Sequence, residues 1–403
     1  MTMSGRIGCL TAQQKDTLDK FKVNLKDVLQ AKHDDSMLLR FLRARKFDLK
    51  KSEDMFRKHL KWRERNKVDT IMQDHKQPEV LEKYYGGGFV GVDKEGCPVR
   101  IEPFGGRDIK GLLHSVKGSD LMRNNIWILE TFVKRIQDEA RKSGRPIEQF
   151  TSISDMEGLD TDYMWRPGLE FNKQITLMCE QNYPEILKRV IMINVKPIFY
   201  TLYNLTKHFV NEETRSKFIV LGSNWREDIL QYVDADQLPV HYGGTMTDSD
   251  GNHKCLSLVT PVGKIPNSYY LKGRQVISKN MESREIKRGS ALELQYVISR
   301  PGSLIRYEFK TENYDLSFSI KAICEKGKRV DVLKKQRHNC HMVPEDGQIT
   351  LEQPGTYVIR FDNSDSFLRG KKLSYWVEVL EPLRDDEMRE YRVDGAYDGT
   401  EFD

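Results

Sequence analysis

The sequence predicts an α/β protein in three parts: an N-terminal helical region, a central α/β domain with a mostly parallel sheet, and a C-terminal antiparallel β-sandwich. Three changes in apolar spacing support this prediction. Apolar residues recur at helical spacing to about residue 70, short apolar runs then alternate with longer helical stretches, and beyond about residue 275 the period becomes two. The 403 residues are enough for two or three domains of about 100–200 residues each.

The composition is that of a folded protein without a membrane span. Hydrophobic residues make up 38% of the chain and charged residues 31%, which is enough apolar material for a sizeable core. No apolar run reaches the roughly 18 residues of a transmembrane helix, and residues 1–10 show no secretory signal. The six cysteines are scattered without close pairs, as is usual for thiols in a reducing compartment. We therefore expect a cytoplasmic protein.

Charge is distributed unevenly along the chain. Residues 40–67 contain 12 lysines and arginines against 4 acidic residues, whereas residues 381–403 contain 3 against 9. The basic segment predicts a surface that docks transiently on an anionic membrane, and a solvated helical face is the plainer alternative. The docking candidates are Arg40, Arg43, Arg45 and Lys46. Nucleic acid is not expected as a partner, because no nucleic-acid reading motif accompanies these residues.

Residues 1–75 form the expected helical region. Apolar residues such as Leu18 and Leu25 lie on one helical face. Asp34 is a candidate N-cap for the next helix, and Ser52 is expected to start a third.

Residues 76–250 form the expected central domain. The strand candidates are residues 99–102, 150–154, 190–195 and 218–221, and the helix candidates lie near residues 120–141, 165–181 and 198–209. This alternation favours a largely parallel sheet. The runs that begin at Val190 and Phe218 are apolar on both faces, as in a sheet covered on both sides.

A linker punctuated by proline and glycine is expected over residues 251–274. From residue 275 to 383, short runs alternate apolar and polar residues and are separated by Pro-Gly and Asp-Gly turns. This pattern predicts an antiparallel β-sandwich. Residues 384–403 form an acidic tail.

Signatures of common enzyme classes are absent from the sequence. It contains no G-x-S-x-G, H-E-x-x-H or G-x-x-x-x-G-K-[ST] motif. The glycine cluster at residues 86–91 lacks the lysine and the preceding strand of a phosphate loop, so a turn is the favoured interpretation. His338, Cys340 and His341 are too crowded to serve as three ligands of one zinc ion. We therefore expect no catalytic residues, no metal site and no cofactor.

The segment after Pro197 has an unusually broad apolar face. Its two stripes at helical spacing are Ile198, Leu202, Leu205 and Phe209, and Phe199, Tyr203, Thr206 and Val210. Such a helix either packs on the sheet as an ordinary core element or closes over an apolar cavity as a lid.

Two residues of opposite charge precede neighbouring strand candidates. Glu185 comes shortly before the run at Val190, and Lys217 directly precedes the run at Phe218. If these runs are adjacent parallel strands, both charges lie at the same end of the sheet. Two independent surface charges are the alternative.

Several motifs resemble the landmarks of the CRAL-TRIO lipid-binding family. In chain order they are LLRFLRARKFD at 38–48, DKEGCPV at 93–99, DMEG at 155–158, NYPE at 182–185 and LPVHYGG at 238–244. The expected sandwich resembles a GOLD domain through VPEDG at 343–347 and YVIRFDN at 357–363.

The resemblance implies that a hydrophobic ligand lies in an apolar cavity between the sheet and the helices, under a mobile helix. Residues 198–209 occupy the position of that lid. In members that transfer phosphatidylinositol, a Glu after Tyr-Pro and a later Lys hold the inositol phosphate, and the matching residues are Glu185 and Lys217. At the phosphatidylcholine site, Phe150 replaces a Ser of the family and Ser152 stands for a Thr. Ser152 is therefore a candidate polar contact. The two differences from the family site leave open a ligand that is less polar than phosphatidylcholine.

We expect a non-enzymatic carrier that takes a retinoid, tocopherol, squalene or phospholipid between membranes. Each buried CH₂ gains about 0.8 kcal/mol, so an apolar molecule leaves a membrane slowly unless a shielded site receives it. Two alternatives stay open. In the first, the protein is a regulator that binds and presents phosphatidylinositol. In the second, it is a lipid-dependent adaptor whose GOLD domain recruits a protein partner.

Overall fold

The computed structural model describes residues 5–271, 281–324, 327–341, 344–366 and 369–382. Within them, an N-terminal helical region, a five-stranded sheet with flanking helices and two antiparallel four-stranded sheets follow one another. This arrangement confirms the predicted fold class. The acidic tail expected at 384–403 and residues 272–274 of the expected linker lie outside the described residues.

Five helices precede the sheet. They are α1 (Ala12–Asn24), α2 (Asp35–Ala44), α3 (Leu49–Arg65), α4 (Ile71–Asp74) and α5 (Glu79–Tyr84). The Asp34 carboxylate accepts a hydrogen bond from the Met37 N–H and caps α2, as expected. The α3 helix begins earlier than Ser52, because the Asp48 carboxylate accepts the Lys51 N–H and supplies the cap one turn before that serine. Ser52 is completely buried instead.

The central sheet has five strands in chain order. They are β1 (Gly88–Val92), β2 (Pro98–Glu102), β3 (Phe150–Asp155), β4 (Leu187–Ile193) and β5 (Phe218–Val220). The β1 strand pairs with β2 in antiparallel orientation and the other pairs are parallel, so the sheet is mostly parallel as predicted.

Six further helices belong to this central part. They are α6 (Ile109–Ser115), α7 (Gly118–Ser143), α8 (Arg166–Asn182), α9 (Pro197–Thr206), α10 (Glu212–Arg215) and α11 (Trp225–Asp228). No helix in the described ranges combines the length and the apolar character needed to cross a membrane.

The glycine cluster at residues 86–91 leads into a strand, where the sequence favoured a turn alone. Gly86 and Gly87 have φ angles of 77° and 94°, a region that suits glycine, and β1 starts at Gly88. A Cβ atom on Gly88 would lie 1.7 Å from the Leu258 carbonyl oxygen. Glycine therefore permits a close approach of two backbones here, and apolar alternation does not reveal such a strand.

The two faces of the sheet are covered by different parts of the chain. Ile101, Ile153 and Ile191 point to one face and pack with Trp225 of α11 and with the segment that follows it. The opposite face packs against α6, α8 and α9 and, on the side of β1 and β3, against α7.

The C-terminal part is an antiparallel β-sandwich, as predicted. Its strands are β6 (Glu282–Ile286), β7 (Ala291–Ile298), β8 (Ser303–Thr311), β9 (Leu316–Ile323), β10 (Arg329–His338), β11 (Glu345–Leu351), β12 (Gly355–Asp362) and β13 (Lys371–Leu380). One sheet has the order β10-β9-β12-β7 and the other β11-β8-β13-β6. Phe309, Phe318 and Phe361 are completely buried between the two sheets. Their rings lie 4.7–5.2 Å apart and form the centre of the core.

The sandwich packs directly on the central domain. Leu304 of β8 and Leu380 of β13 belong to the apolar cluster that includes α9. The guanidinium of Arg166, at the start of α8, lies 4.9 Å from the ring centroid of Trp376 on β13, within the range of a cation–π contact. The helix at the expected lid position therefore touches both the sheet and the sandwich.

An ion pair joins the N-terminal helices to the sheet domain. The Arg43 guanidinium, at the end of α2, lies 2.7 Å from the Glu148 carboxylate, and the two side chains are 10% and 3% exposed. A buried guanidinium in an ion pair is not available to a membrane, so the structure removes Arg43 from the predicted docking set. Arg40 and Arg45 are half-buried and Lys46 is exposed, and their docking role stays a prediction.

Replacing Arg43 by Met should lower the free energy of unfolding by about 3–5 kcal/mol, because the Glu148 charge would then be buried without a partner. Chemical denaturation followed by circular dichroism measures this change. The control is Lys20→Met, which breaks the exposed ion pair of Lys20 with Asp16 and should cost less than about 1 kcal/mol. Equal effects of the two substitutions would contradict the role given to Arg43.

Candidate functional site

A row of side chains crosses the face of the sheet that α7 and α9 cover. Arg100 lies opposite Ser152 in the strand register, and Ser152 lies opposite Val190. Val190 in turn lies opposite Phe218. Residues opposite each other on neighbouring strands point to the same face, so these four side chains form one row, which we call the floor. With about 4.8 Å between strands, the floor is about 14 Å long. It runs from polar residues on β2 and β3 to apolar residues on β4 and β5.

The α9 helix covers the apolar end of the floor. Pro197 occupies its first position, where a missing N–H costs no hydrogen bond. Phe199 and Leu202 are buried, and the Tyr203 ring contacts the Phe218 ring at a centroid distance of 6.3 Å. The partly buried members of this apolar cluster include Ile198, Tyr203 and Leu205 on α9 and Val190, Phe218 and Val220 on the sheet.

The helix is shorter than its apolar stripes predicted. The α9 helix ends at Thr206, and Lys207–Phe209 form a 3₁₀ turn. Phe209 and Val210 therefore belong to the segment that follows the helix, which corrects their assignment to it. The Lys173 ammonium of α8 lies 4.7 Å from the Phe209 ring centroid.

The apolar end of the floor is not fully packed. Val190, Phe218 and Val220 keep part of their surface accessible, although a helix covers this face of the sheet. Ile191, the next residue on β4, points to the other face and is completely buried. The half-buried side chains leave apolar surface accessible at the edge of the sheet that α9 covers, and a long apolar molecule can lie on such a surface. A closed cavity at this place, expected from the family resemblance, stays a prediction.

Glu185 and Lys217 meet at one end of β4 and β5. Lys217 Nζ lies 3.4 Å from Glu185 Oε1, and the side chains are 10% and 11% exposed, respectively. The pairing of Val190 with Phe218 brings the two groups together, which confirms their predicted position at the same end of the sheet. The alternative of two independent surface charges is excluded.

Two more charged residues, Glu213 of α10 and Lys46, surround this pair. Burial raises the pKa of Glu213, and the negative charge of nearby Glu185 raises it further, while Lys217 and Lys46 act in the opposite direction. The sequence analysis missed Glu213, although it stands four residues before Lys217, the spacing of side chains one helical turn apart. The ammonium groups of this cluster can donate hydrogen bonds to a phosphate, and its carboxylates can accept them from hydroxyls.

The polar end of the floor is buried under α7. Ser152 is 5% exposed and Arg100 is 7% exposed. The guanidinium carbon of Arg100 lies 4.9 Å from the ring centroid of Phe132 on α7. Ser152, the candidate polar contact, therefore lies inside the protein in line with the apolar end of the floor, and its role toward a ligand stays a prediction.

A further cluster lies at the end of β3. Asp155, Glu157 and His241 each offer one metal-ligating atom within 4.8 Å of the others. The Asp155 carboxylate already accepts hydrogen bonds from the Glu157 N–H and the Asn194 side chain. These bonds account for a buried carboxylate, and we give the cluster a structural role.

Comparison with known proteins matches two parts of the chain to family models. Residues 82–244 match the CRAL/TRIO domain, and residues 14–58 match the CRAL/TRIO N-terminal domain. The larger match includes all five strands of the central sheet, α9 and the pair of Glu185 with Lys217.

Two curated proteins are similar to this chain. "Protein real-time" of Aedes aegypti is 29% identical over 334 residues, which are 78% of this chain and 50% of the relative. "Protein real-time" of Anopheles gambiae is 34% identical over 254 residues, which are 62% of this chain and 36% of the relative. The chain thus spans half the length of these relatives or less. The crystal structure of Sfh5 is similar over 59% of this chain and 88% of that chain, with 20% identity and a TM-score of 0.47.

Three observations agree along the chain. The family models match the helical region and the mostly parallel sheet, the sequence motifs resemble the family landmarks, and the sheet has the predicted topology. The chain belongs to the CRAL/TRIO family.

Proposed function

We propose that the protein is a carrier that binds one hydrophobic molecule between the central sheet and α9 and transfers it between membranes. The observation that carries this proposal is the half-buried apolar end of the floor under α9. Membership of the CRAL/TRIO family supports lipid binding as the general function. The finer proposal is that the molecule is a retinoid, tocopherol, squalene or phospholipid and that no enzymatic step is involved.

The physical argument rests on the surfaces that face each other. Val190 and Phe218 on the sheet, and Tyr203 on α9, offer largely apolar surface to a molecule that lies between them. Each CH₂ group that leaves water gains about 0.8 kcal/mol. When α9 opens, its apolar side can enter the interface of a membrane and give the molecule a route out.

The charges around α9 support a transient contact with an anionic membrane. Lys196 precedes the helix and is exposed, and Lys207 and His208 follow it. Each lysine near an anionic surface contributes about 1 kcal/mol of attraction. On this proposal the protein works in the cytoplasm, and Arg45 and Lys46 add to the same attraction. Recruitment of a protein partner by the sandwich stays a prediction.

The lipid content of the gently purified chain tests the carrier proposal. Native mass spectrometry and organic extraction should find one apolar molecule per chain, because covering the apolar surface under α9 with a ligand removes it from water and lowers the free energy. If no lipid is found, and if the protein also fails to bind added retinoids, tocopherol, squalene, phospholipids and fatty acids, the proposal is wrong.

Phe209→Asp should slow the transfer of bound lipid between vesicles without unfolding the protein. A charge at the centre of a bilayer costs about 2.5–3.5 kcal/mol, and less at the interface. Transfer between fluorescently labelled vesicles measures the rate. The matched control is Gln13→Asp, which adds a carboxylate at an exposed position of α1. An unchanged rate for Phe209→Asp would remove the membrane role proposed for the segment that follows α9.

A second candidate function is favoured by Glu185 and Lys217. Their contact of 3.4 Å, with both side chains about nine-tenths buried, forms a polar site apart from the apolar floor. The Lys217 ammonium can donate hydrogen bonds to a phosphate, and the Glu185 carboxylate can accept them from inositol hydroxyls. On this proposal the protein binds phosphatidylinositol, which it presents as a regulator or carries as cargo.

Lys217→Ala should weaken phosphatidylinositol binding about 10- to 150-fold, which corresponds to a charge-assisted hydrogen bond of about 1.5–3 kcal/mol. Binding of retinol or tocopherol should stay nearly unchanged, because the pair lies apart from the floor. Both affinities are measured in the same preparation, with Lys196→Ala as an exposed control. No loss for phosphatidylinositol would refute the headgroup site, and an equal loss for both lipids would mean that the fold was damaged.

A further inference from the structure

Arg100 is a buried cation that forms no salt bridge within the described part of the chain. Its side chain is 7% exposed, and its Nε atom makes no hydrogen bond. The hydrogen bond from its Nη2 to the Gly86 carbonyl oxygen is long, at 3.4 Å. The Phe132 ring, 4.9 Å away, attracts the cation but cannot replace an anion.

The other polar side chain that β2 turns to this face, Glu102, attracts Arg100 but forms its ion pair with another residue. The Glu102 carboxylate pairs with Arg107 at 2.8 Å, and Arg107 Nε also donates to the Tyr85 carbonyl oxygen. Two guanidinium groups therefore share the charge of one carboxylate, and one positive charge is left over. An uncompensated charge in the interior is strongly destabilising, and a bound anion would relieve it.

The position of Arg100 in the floor shows how such an anion would be attached to a lipid. Ser152 lies beside Arg100, and its hydroxyl can donate a second hydrogen bond to an oxyanion. Val190 and Phe218 continue the same row with half-buried apolar surface. A molecule that lies along the floor would thus place an acidic head at β2 and β3 and an apolar tail at β4 and β5, under α9.

We propose that the ligand is a long-chain carboxylic acid, held with its carboxylate on Arg100 and Ser152 and its hydrocarbon chain along the floor toward α9. This inference rests on the proposed carrier function. Among the lipids named there it favours acidic retinoids, and it adds long-chain fatty acids to them. One negative charge matches the one uncompensated positive charge. A neutral lipid would leave that charge as it is, and the cationic group of phosphatidylcholine would lie close to two arginines.

Binding of oleate and of oleyl alcohol to the lipid-stripped protein tests the proposal. The two molecules have the same tail and differ in their head groups. Oleate should bind the wild-type protein about 10- to 150-fold more tightly, the gain expected from a charge-assisted hydrogen bond. Arg100→Met should remove this preference by weakening oleate binding. If Arg100→Met does not fold, Arg100→Gln serves the same purpose with a polar side chain of intermediate length.

A matched control is available in the sandwich. Arg306 is another buried arginine, 5% exposed, whose Nε makes no hydrogen bond, but it lies on β8 of the sandwich and pairs with Glu378. Arg306→Met should leave the ratio of the two affinities unchanged, because it removes a buried guanidinium that the floor does not contain.

The outcomes separate this inference from the carrier proposal. Equal wild-type affinities for oleate and oleyl alcohol would overturn the carboxylate ligand and leave the carrier standing. An unchanged preference in Arg100→Met and Arg100→Gln, or tighter wild-type binding of phosphatidylcholine than of oleate, would do the same. If no lipid of any class binds, both the carrier and the inference fail.

Discussion

The parallel pairing of β4 with β5 is the contact on which the candidate site depends. It sets Val190 beside Phe218 in the floor, and it sets Glu185 beside Lys217 at the ends of the same two strands. Parallel neighbours need a crossover connection, which packs on one face of the sheet with a fixed hand. Here that crossover contains α9 and α10. The apolar floor, its cover and the charged pair are therefore all products of one strand–helix–strand connection.

The elements of this connection could be predicted from local pattern, but its ends could not. The apolar runs at Val190 and Phe218 and the start of the helix at Pro197 are visible in the sequence. Phe209 and Val210 continue the apolar stripes after the backbone has left the helix, so spacing alone overestimates the length of α9. The β1 strand was missed because its glycine is set by the backbone at Leu258, far along the chain, and no local pattern records that contact.

The candidate site divides in the same way. The meeting of Glu185 and Lys217 was predictable, because the order of strands in the sheet follows their order in the chain. The burial of Arg43 could not be predicted, because its partner Glu148 belongs to the central domain and lies far from the basic segment in the sequence. The burial of Arg100 could not be predicted for a related reason. A charged residue between Val99 and Ile101 is typical of a strand with one wet face, and the packing of α7 decides that this face is dry.

The contact of Leu304 and Leu380 with the cluster around α9 connects the sandwich to the candidate site. If α9 opens as proposed, it has to break or carry along this contact, so the position of the sandwich and the release of a bound lipid would be thermodynamically coupled. Such coupling is reciprocal. A molecule that binds the sandwich more tightly while α9 is closed would raise the affinity of the protein for the lipid. The bound lipid would raise the affinity for that molecule by the same factor. On the proposed carrier function, a molecule bound to the sandwich would thus respond to whether a lipid is bound.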